Sequence, residues 1–228
     1  LTNNNRSKAY IQNFIKENIY PSNVVFLEES NTKIAGQTEN DSKIFDSSDQ
    51  ELWRKCSVTG LLFNEKETVL STLKKNGIPF KKYANLDPNS KLVIKALKRL
   101  PEAICIYSGP GGYILKKEIF KTGKVFIHAH SGKLPSYRGS TTIYYSLLLN
   151  ENLSVSVIEL NENIDEGNII LIDNYKLNSG SDIDYVIDNC IRAKSLIRFL
   201  KLKKYKSVKQ KKEGKTFYII HPVLKHIS

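Results

Sequence analysis

This chain of 228 residues is poor in cysteine, histidine and tryptophan, with three, four and one respectively. Cys56, Cys105 and Cys190 are odd in number, far apart, and in none of the close pairs that hold zinc. A disulfide scaffold is therefore not expected, and a reducing cytoplasm is the simple inference. Cys105 lies in an apolar run and reads as a small buried hydrophobe. No uncharged apolar run approaches the roughly 20 residues that cross a bilayer, so no transmembrane helix and no membrane partner are expected. The opening Leu1-Thr2-Asn3-Asn4-Asn5-Arg6 lacks the apolar core of a secretory signal. Zinc-finger spacing and RNP-like aromatic motifs are missing, so nucleic acid is not an expected partner. With no internal repeat and no linker, 1–228 reads as a single domain, long enough to bury a sizeable core.

What is abundant is positive charge. Thirty-five Lys and Arg against 23 Asp and Glu give a formal net charge of +12. Most of the excess is lysine, and asparagine, isoleucine and tyrosine are plentiful as well, the mixture expected of an AT-rich coding bias. The plain reading is a solvated lysine surface. The second reading is attraction to polyanions, with nucleotide phosphates ahead of nucleic acid.

Periodicity organises the chain. Tyr10, Ile11, Phe14, Ile15 and Ile19 have helical spacing, Pro21 stops them, and Val24 to Leu27 forms a short buried-strand pattern. Residues 28–51 are polar and read as a long surface loop. A helix is predicted over Glu65 to Lys75, closed by Gly77. Another runs from Ser90 to Leu100, with Leu92, Val93, Ala96, Leu97 and Leu100 on one face. Strands are predicted at Ala103–Tyr107 and Val125–His130, with a turn at Ser108–Gly112 and a short helix to Phe120 between them. Then follow a helix at Ser140–Leu149, strands at Ser154–Leu160 and Asn168–Asp173, an amphipathic helix at Asp182–Lys201, and a strand at Phe217–Ile220. The stretch 176–228 is expected to pack its helix and short strand on the domain. Its basic run, Lys201 to Lys215, reads as solvated surface. Helix and buried strand in alternation is the rhythm of a mostly parallel α/β sheet flanked by helices.

The most informative stretch is His128-Ala129-His130-Ser131-Gly132-Lys133-Leu134-Pro135-Ser136-Tyr137-Arg138-Gly139. Residues two apart on a strand share a face, so His128 and His130 aim the same way. They stand at the C-terminal end of a strand, where open α/β sheets bind ligands. Chance or a surface-lining role would also explain the pair alone. Arg138 by itself reads as a structural clamp or an anion binder. The second element is Asn161-Glu162-Asn163-Ile164-Asp165-Glu166-Gly167-Asn168-Ile169. Taken alone, its Asp-x-Gly is a turn signal.

Together these stretches resemble the N10-formyltetrahydrofolate-dependent formyltransferases. That family's signature reads Asn-x-His-x-Ser-x-Leu-Pro-x-Tyr-Arg-Gly, then, after a helix and a strand, Asp-x-Gly-x-Ile. Tyr107-Ser108-Gly109-Pro110-Gly111-Gly112-Tyr113-Ile114-Leu115 is similar to the segment lining the family's folate pocket. The resemblance covers residues 90 to 175 well and the remainder loosely. One departure matters: the family's Asn is His128 here.

The resemblance implies a Rossmann-like formyltransferase fold and direct acyl transfer through a tetrahedral intermediate. It implies His130 as main oxyanion donor, Asp165 as its orienting carboxylate and proton relay, and His128 as second donor, since histidine also offers a ring N–H. It further implies a folate site at Tyr113, Ile114, Leu115, Asn161 and Asn163. Lys133, Arg138, Ser140, Thr141 and Tyr144 are the expected contacts to the acceptor, the last three at a helix N-terminus suited to phosphate. The donor is N10-formyltetrahydrofolate. Two histidines and an aspartate also fit a metal, but no further ligand lies close in sequence and none is expected. His221 and His226 read as packing residues.

Family members formylate methionyl-tRNA, glycinamide ribonucleotide or nucleotide-linked amino sugars, or pass formate to water. About sixty residues follow Asp165, too few for the C-terminal barrel of the tRNA enzymes. The glycine-rich opening of the purine enzymes and the regulatory domain of the hydrolases find no counterpart. The chain is thus most similar to the small bacterial nucleotide-sugar N-formyltransferases, including those of pseudaminic-acid-type sugars. A homodimer is expected by family analogy only. The alternative reading is a catalytically silent folate- or ligand-binding relative, or a formyltransferase acting on a different amine, glycinamide ribonucleotide or aminoacyl-tRNA.

Overall fold

The structure is a computed structural model and describes residues 1–29, 51–110, 112–149, 152–177, 182–211 and 213–228. The loop expected at 28–51 falls almost wholly outside these residues. Helix α1 (Asn5–Lys16) starts where the Asn4 side chain accepts the Ser7 N–H at 2.8 Å, and it buries Ala9, Tyr10, Ile11 and Phe14. Strand β1 (Val24–Leu27) follows, then the hairpin β2 (Trp53–Lys55) and β3 (Leu62–Asn64). Thr68 caps α2 (Val69–Lys75), and β4 (Phe80–Tyr83) returns parallel to β1. Ser90 caps α3 (Lys91–Arg99), which leads to β5 (Ile104–Ile106), the single turn α4 (Lys117–Phe120) and β6 (Val125–His130).

Beyond β6 come β7 (Tyr137–Gly139), α5 (Thr142–Leu148), β8 (Leu153–Glu159) and β9 (Ile169–Tyr175). A π-helical turn, Ile183–Ile187, runs into α6 (Asp188–Leu200). The chain finishes with β10 (Lys215–Phe217), parallel to β7, and α7 (Pro222–Ile227).

The main sheet has the order β5-β6-β8-β9. It is parallel between β5 and β6, as the periodicity predicts, but antiparallel from β6 through β9. The β8–β9 link spans only residues 160 to 168, too short for the crossover a parallel pair needs, so it closes as a hairpin. Strand β8 is buried at Leu153, Val155, Val157 and Ile158. Ile191 and Leu196 of helix α6, with Ile187 of the π-helical turn before it, pack with Ile127 and Ala129 of β6 and with α1 in the largest core cluster. Cys56 and Cys190, distant in sequence, both lie in that core. Leu27, Val93, Leu97, Leu115, Ile119 and Phe126 form a separate cluster on the other side of β6. Between these layers the C-terminal end of β6 is held rigidly, and the site stands there.

Candidate active site

His130 is 3% exposed at the end of β6. Its Nε2 lies 2.7 Å from the Tyr137 carbonyl oxygen. A carbonyl only accepts, so Nε2 carries the proton. Nδ1 then faces the Asp165 carboxylate, 3.4 Å from Oδ2, with its lone pair. A proton arriving at Nδ1 converts that apposition into a charge-assisted hydrogen bond, so the pair is built to take up one proton. Burial lowers the His130 pKa below the usual histidine value, while the Asp165 carboxylate and the Tyr137 carbonyl oppose the fall. At neutral pH the ring is therefore ready to accept.

The backbone fixes Asp165 in place. Its Oδ2 also accepts the Gly139 N–H at 2.9 Å, and its φ of 52° is left-handed. A side chain at Gly167 would put Cβ 1.7 Å from the Glu159 carbonyl oxygen, so only glycine lets the turn pass so close to β8. Gly139 has φ of 98°, and a Cβ there would lie 2.1 Å from the Phe217 carbonyl oxygen in β10. The two glycines of the signature therefore set the distance between Asp165 and His130.

His128 shares the face of His130 and is half-buried, with Nδ1 3.4 Å from the Tyr107 carbonyl oxygen. Burial pushes its pKa well down, and the guanidiniums of Arg192 and Arg6 push in the same direction. It is a neutral imidazole. Donation from Nδ1 to Tyr107 leaves Nε2 an acceptor; the other tautomer presents an Nε2–H.

Below the two histidines lies a charged cluster that sequence reading missed. Arg192 spans both Asp188 carboxylate oxygens at 2.9 Å and donates to the Ala129 carbonyl between the histidines at 2.5 Å. Asp188 also bonds the Ser131 hydroxyl. Burial works against the Asp188 charge, but Arg192 and Ser131 outweigh it and its pKa lies below the usual carboxylate value. Arg6 donates to the Gly109 carbonyl at 2.8 Å and to the Ser108 hydroxyl at 3.3 Å, tying α1 to the turn after β5. Only Asp188 and Arg192 carried a legible signal, the i,i+4 spacing of opposite charges on a helix.

The remaining predicted residues fall in different places. Arg138 is 9% exposed and reaches Gln210 Oε1 at 3.3 Å and the Lys211 carbonyl at 3.1 Å, with Glu166 4.0 Å away, a clamp on the 165–167 turn. Tyr144 is buried, its hydroxyl donating to Asp184 at 2.5 Å. Thr141, at φ of 51°, accepts the Ile220 N–H at 2.9 Å and so holds the C-terminal segment. Ser140 is exposed and its N–H bonds the Phe217 carbonyl; Lys133 is exposed on the loop after His130. Tyr113 and Ile114 are exposed, whereas Leu115 is buried in the cluster with Phe126. Asn161 and Asn163 are exposed in the β8–β9 turn, joined by a 3.0 Å bond from the Asn163 N–H to Asn161 Oδ1. The basic run is not simply solvated: Gln210 Nε2 donates to the carbonyls of Asp165 and Gly167 at 2.8 and 2.6 Å. That brings the exposed Lys209 and Lys211 to the rim of the site.

Among the described residues no group of three or more His, Cys, Asp or Glu is placed to hold a metal ion, and no helix is long and apolar enough to cross a membrane.

No family model matches the chain. Among curated proteins it is similar to methionyl-tRNA formyltransferases from strains of Buchnera aphidicola, 34% identical over 96 residues. The match covers 42% of this chain and only 30% of those relatives. Among solved structures it is similar to the N-formyltransferase from Helicobacter canadensis in complex with folinic acid and dTDP-3-aminofucose, with a TM-score of 0.58 and 19% identity over 96% of this chain and 69% of that one. It is also similar to methionyl-tRNA formyltransferase from Clostridium thermocellum, with a TM-score of 0.50 and 20% identity over 66% of each chain. The chain has the formyltransferase fold.

Proposed function

We propose that this chain, built on the formyltransferase fold, transfers a formyl group from N10-formyltetrahydrofolate to the amino group of a nucleotide-linked amino sugar. The observation that carries the reading is the buried His130–Asp165 pair at the end of β6, poised to take one proton. In the reaction the acceptor nitrogen bonds to the formyl carbon and the bond from that carbon to N10 breaks. A proton must leave the amine and reach N10. Asp165 relays it to His130 Nδ1, the nitrogen that faces its carboxylate, the carboxylate stabilises the imidazolium so formed, and the proton is then returned to N10. His128, once it gives up its Nδ1 bond to the Tyr107 carbonyl and takes the Nε2–H tautomer, donates to the transient oxyanion, a contact worth about 3 kcal/mol where such donors have been removed.

The acceptor class rests on charge and on a neighbour. Lys133, Lys209 and Lys211 are exposed around the His130–Asp165 end of the sheet and favour a diphosphate. The Helicobacter canadensis protein, similar over nearly the whole of this chain, is complexed with a nucleotide-linked amino sugar. The exposed Tyr113, Ile114, Asn161 and Asn163 remain the proposed folate contacts, and a cytoplasmic, homodimeric enzyme the proposed setting.

The test is a transfer assay with N10-formyltetrahydrofolate and a panel of nucleotide-linked amino sugars, following tetrahydrofolate release and product mass. A formylated sugar supports the reading and names the acceptor. Transfer to methionyl-tRNA or glycinamide ribonucleotide alone overturns the acceptor class. Folate binding without transfer to any amine assigns a silent relative.

A further inference from the structure

The β5–β6 ladder ends before β6 does. Its last bond runs from the Tyr107 N–H to the Ile127 carbonyl, and the chain then leaves β6 in the Ser108–Gly109 turn, which Arg6 ties to α1. Alternate residues of a strand turn their backbone groups to the same side. Val125 donates to the Ala103 carbonyl and Ile127 accepts from Tyr107, so the Ala129 carbonyl faces the side that β5 has left. Ala129 is fully buried, and a buried carbonyl without a donor is destabilising. Arg192 of α6 supplies that donor, Nη1 to the Ala129 oxygen at 2.5 Å.

The guanidinium is itself held from behind. Its Nε lies 2.9 Å from each Asp188 carboxylate oxygen, four residues back in the first turn of α6, where the helix dipole favours an acid. Asp188 also accepts the Ser131 hydroxyl, and the Ser131 carbonyl accepts the Thr142 hydroxyl. One ion pair therefore grips the residues on either side of His130, Ala129 through Arg192 and Ser131 through Asp188. Because Ala129 also separates the two histidines, the grip sets His128 and His130 together. The apolar cluster containing Ile191, Ile127 and Ala129 already joins α6 to β6, so the ion pair adds direction rather than adhesion.

We propose that Arg192, backed by Asp188, is a positioning residue for formyl transfer: it takes the place of β5 at the end of β6 and fixes that end so that His128 and His130 face the reacting groups together. The inference rests on the transfer reaction proposed above.

Electrostatics act with the geometry. Burial lowers the His128 pKa most, and Arg192 from α6, Arg6 from α1 and His130 from its own strand add to the fall, against the Tyr107 carbonyl at the end of β5. Burial also leads at His130, where Arg192 adds to the fall and Asp165, the Tyr137 carbonyl and Asp188 oppose it. Arg192 thus helps to keep both rings neutral, and Asp188 restrains that effect at His130.

The test uses three variants of the 228-residue chain: Arg192→Met, without the charge, Arg192→Lys, with the charge and a donor but no fork, and Asp188→Asn. NMR titration of the His128 and His130 rings is read, which four histidines in the chain make tractable. Beside it, kcat and KM are measured per folded molecule for N10-formyltetrahydrofolate and for the nucleotide-linked amino sugar transferred fastest in the panel above. Arg192→Met is expected to raise the His128 pKa, to move the acid limb of kcat/KM to higher pH, and to lower kcat about 10²-fold while both KM values stay within about twofold. Arg192→Lys should recover about tenfold of that loss. Asp188→Asn should move the acid limb the other way, to lower pH, and gives the reading should Arg192→Met not fold. Unchanged His128 and His130 titrations in every folded variant overturn the inference, as do losses that follow the folded fraction alone with kcat and pH profile unmoved. Shifted titrations in a chain that transfers no formyl group support the placement of the histidines by Arg192 and overturn only the function proposed above.

Discussion

The two ends of the β5–β6 pair are built differently. At the C-terminal end of β6, polar groups from distant segments converge: Tyr137, Asp165 and Thr142 on His130, Arg192 and Asp188 beneath it, Gln210 on the turn. Along the outer edge of β5 there is an apolar cavity and, on the β1 side, the two backbone bonds of Leu1. The site is specified by side-chain hydrogen-bond geometry, and the N-terminal layer by backbone pairing and apolar packing. Substitutions in the two regions should therefore fail in different ways.

The largest contrast in stability is expected from apolar truncation. Ile191 is fully buried in the main cluster, and Ile191→Ala should cost about 3–4 kcal/mol, within the range for filled cores. Ile104, 42% exposed on the cavity wall, should lose less than about 1 kcal/mol as Ile104→Ala, because little buried surface is removed. Urea denaturation of both variants checks this, and equal losses would erase the distinction between the regions. Next in size is Gly167→Ala. Its Cβ would collide with backbone, so the turn must move; a loss of about 2–3 kcal/mol is expected, with activity falling further because Asp165 moves too.

Stability should also fall as pH falls. His128 and His130 have folded pKa values below the usual 6.5, so the unfolded chain takes protons first and stability drains away below about pH 6.5. The urea midpoint should be lower at pH 5 than at pH 7.5. His128→Asn should flatten that slope. The same His128→Asn change should keep transfer activity within about tenfold and shift its pH profile, since amide and imidazole both donate one hydrogen bond. Smallest is Tyr144→Phe. With its hydroxyl turned to Asp184, transfer should stay near wild type and stability should drop by about 1 kcal/mol.

Much of the main sheet was legible because its strands are continuous apolar runs and its helices carry clean 3.6-residue spacing. The boundaries of β6, β8 and α3 lie within a residue or two of expectation. The β2–β3 hairpin was not legible, because three-residue strands with polar, exposed positions have no period to read. Strand β7 hides within the signature loop and exists through pairing with β10, 78 positions away in register. Strand direction after β6 is a tertiary matter that apolar content does not encode. At the site, the His130–Asp165 pairing was legible through the family resemblance, whereas the bonds of Arg138 to Gln210 and Lys211 and of Tyr144 to Asp184 join segments too distant in sequence to be read. Arg6 was invisible, since it reaches Gly109 across 103 residues.

The most direct test of the central claim is a double-substitution cycle on formyl transfer at pH 7.5, comparing His130→Ala, Asp165→Ala and both together, with folding checked by circular dichroism. Because one proton is held between the two side chains, each single change should lower turnover by about 10²–10³-fold and the pair by scarcely more. Full turnover in His130→Ala, or losses that simply multiply in the double variant, would contradict it.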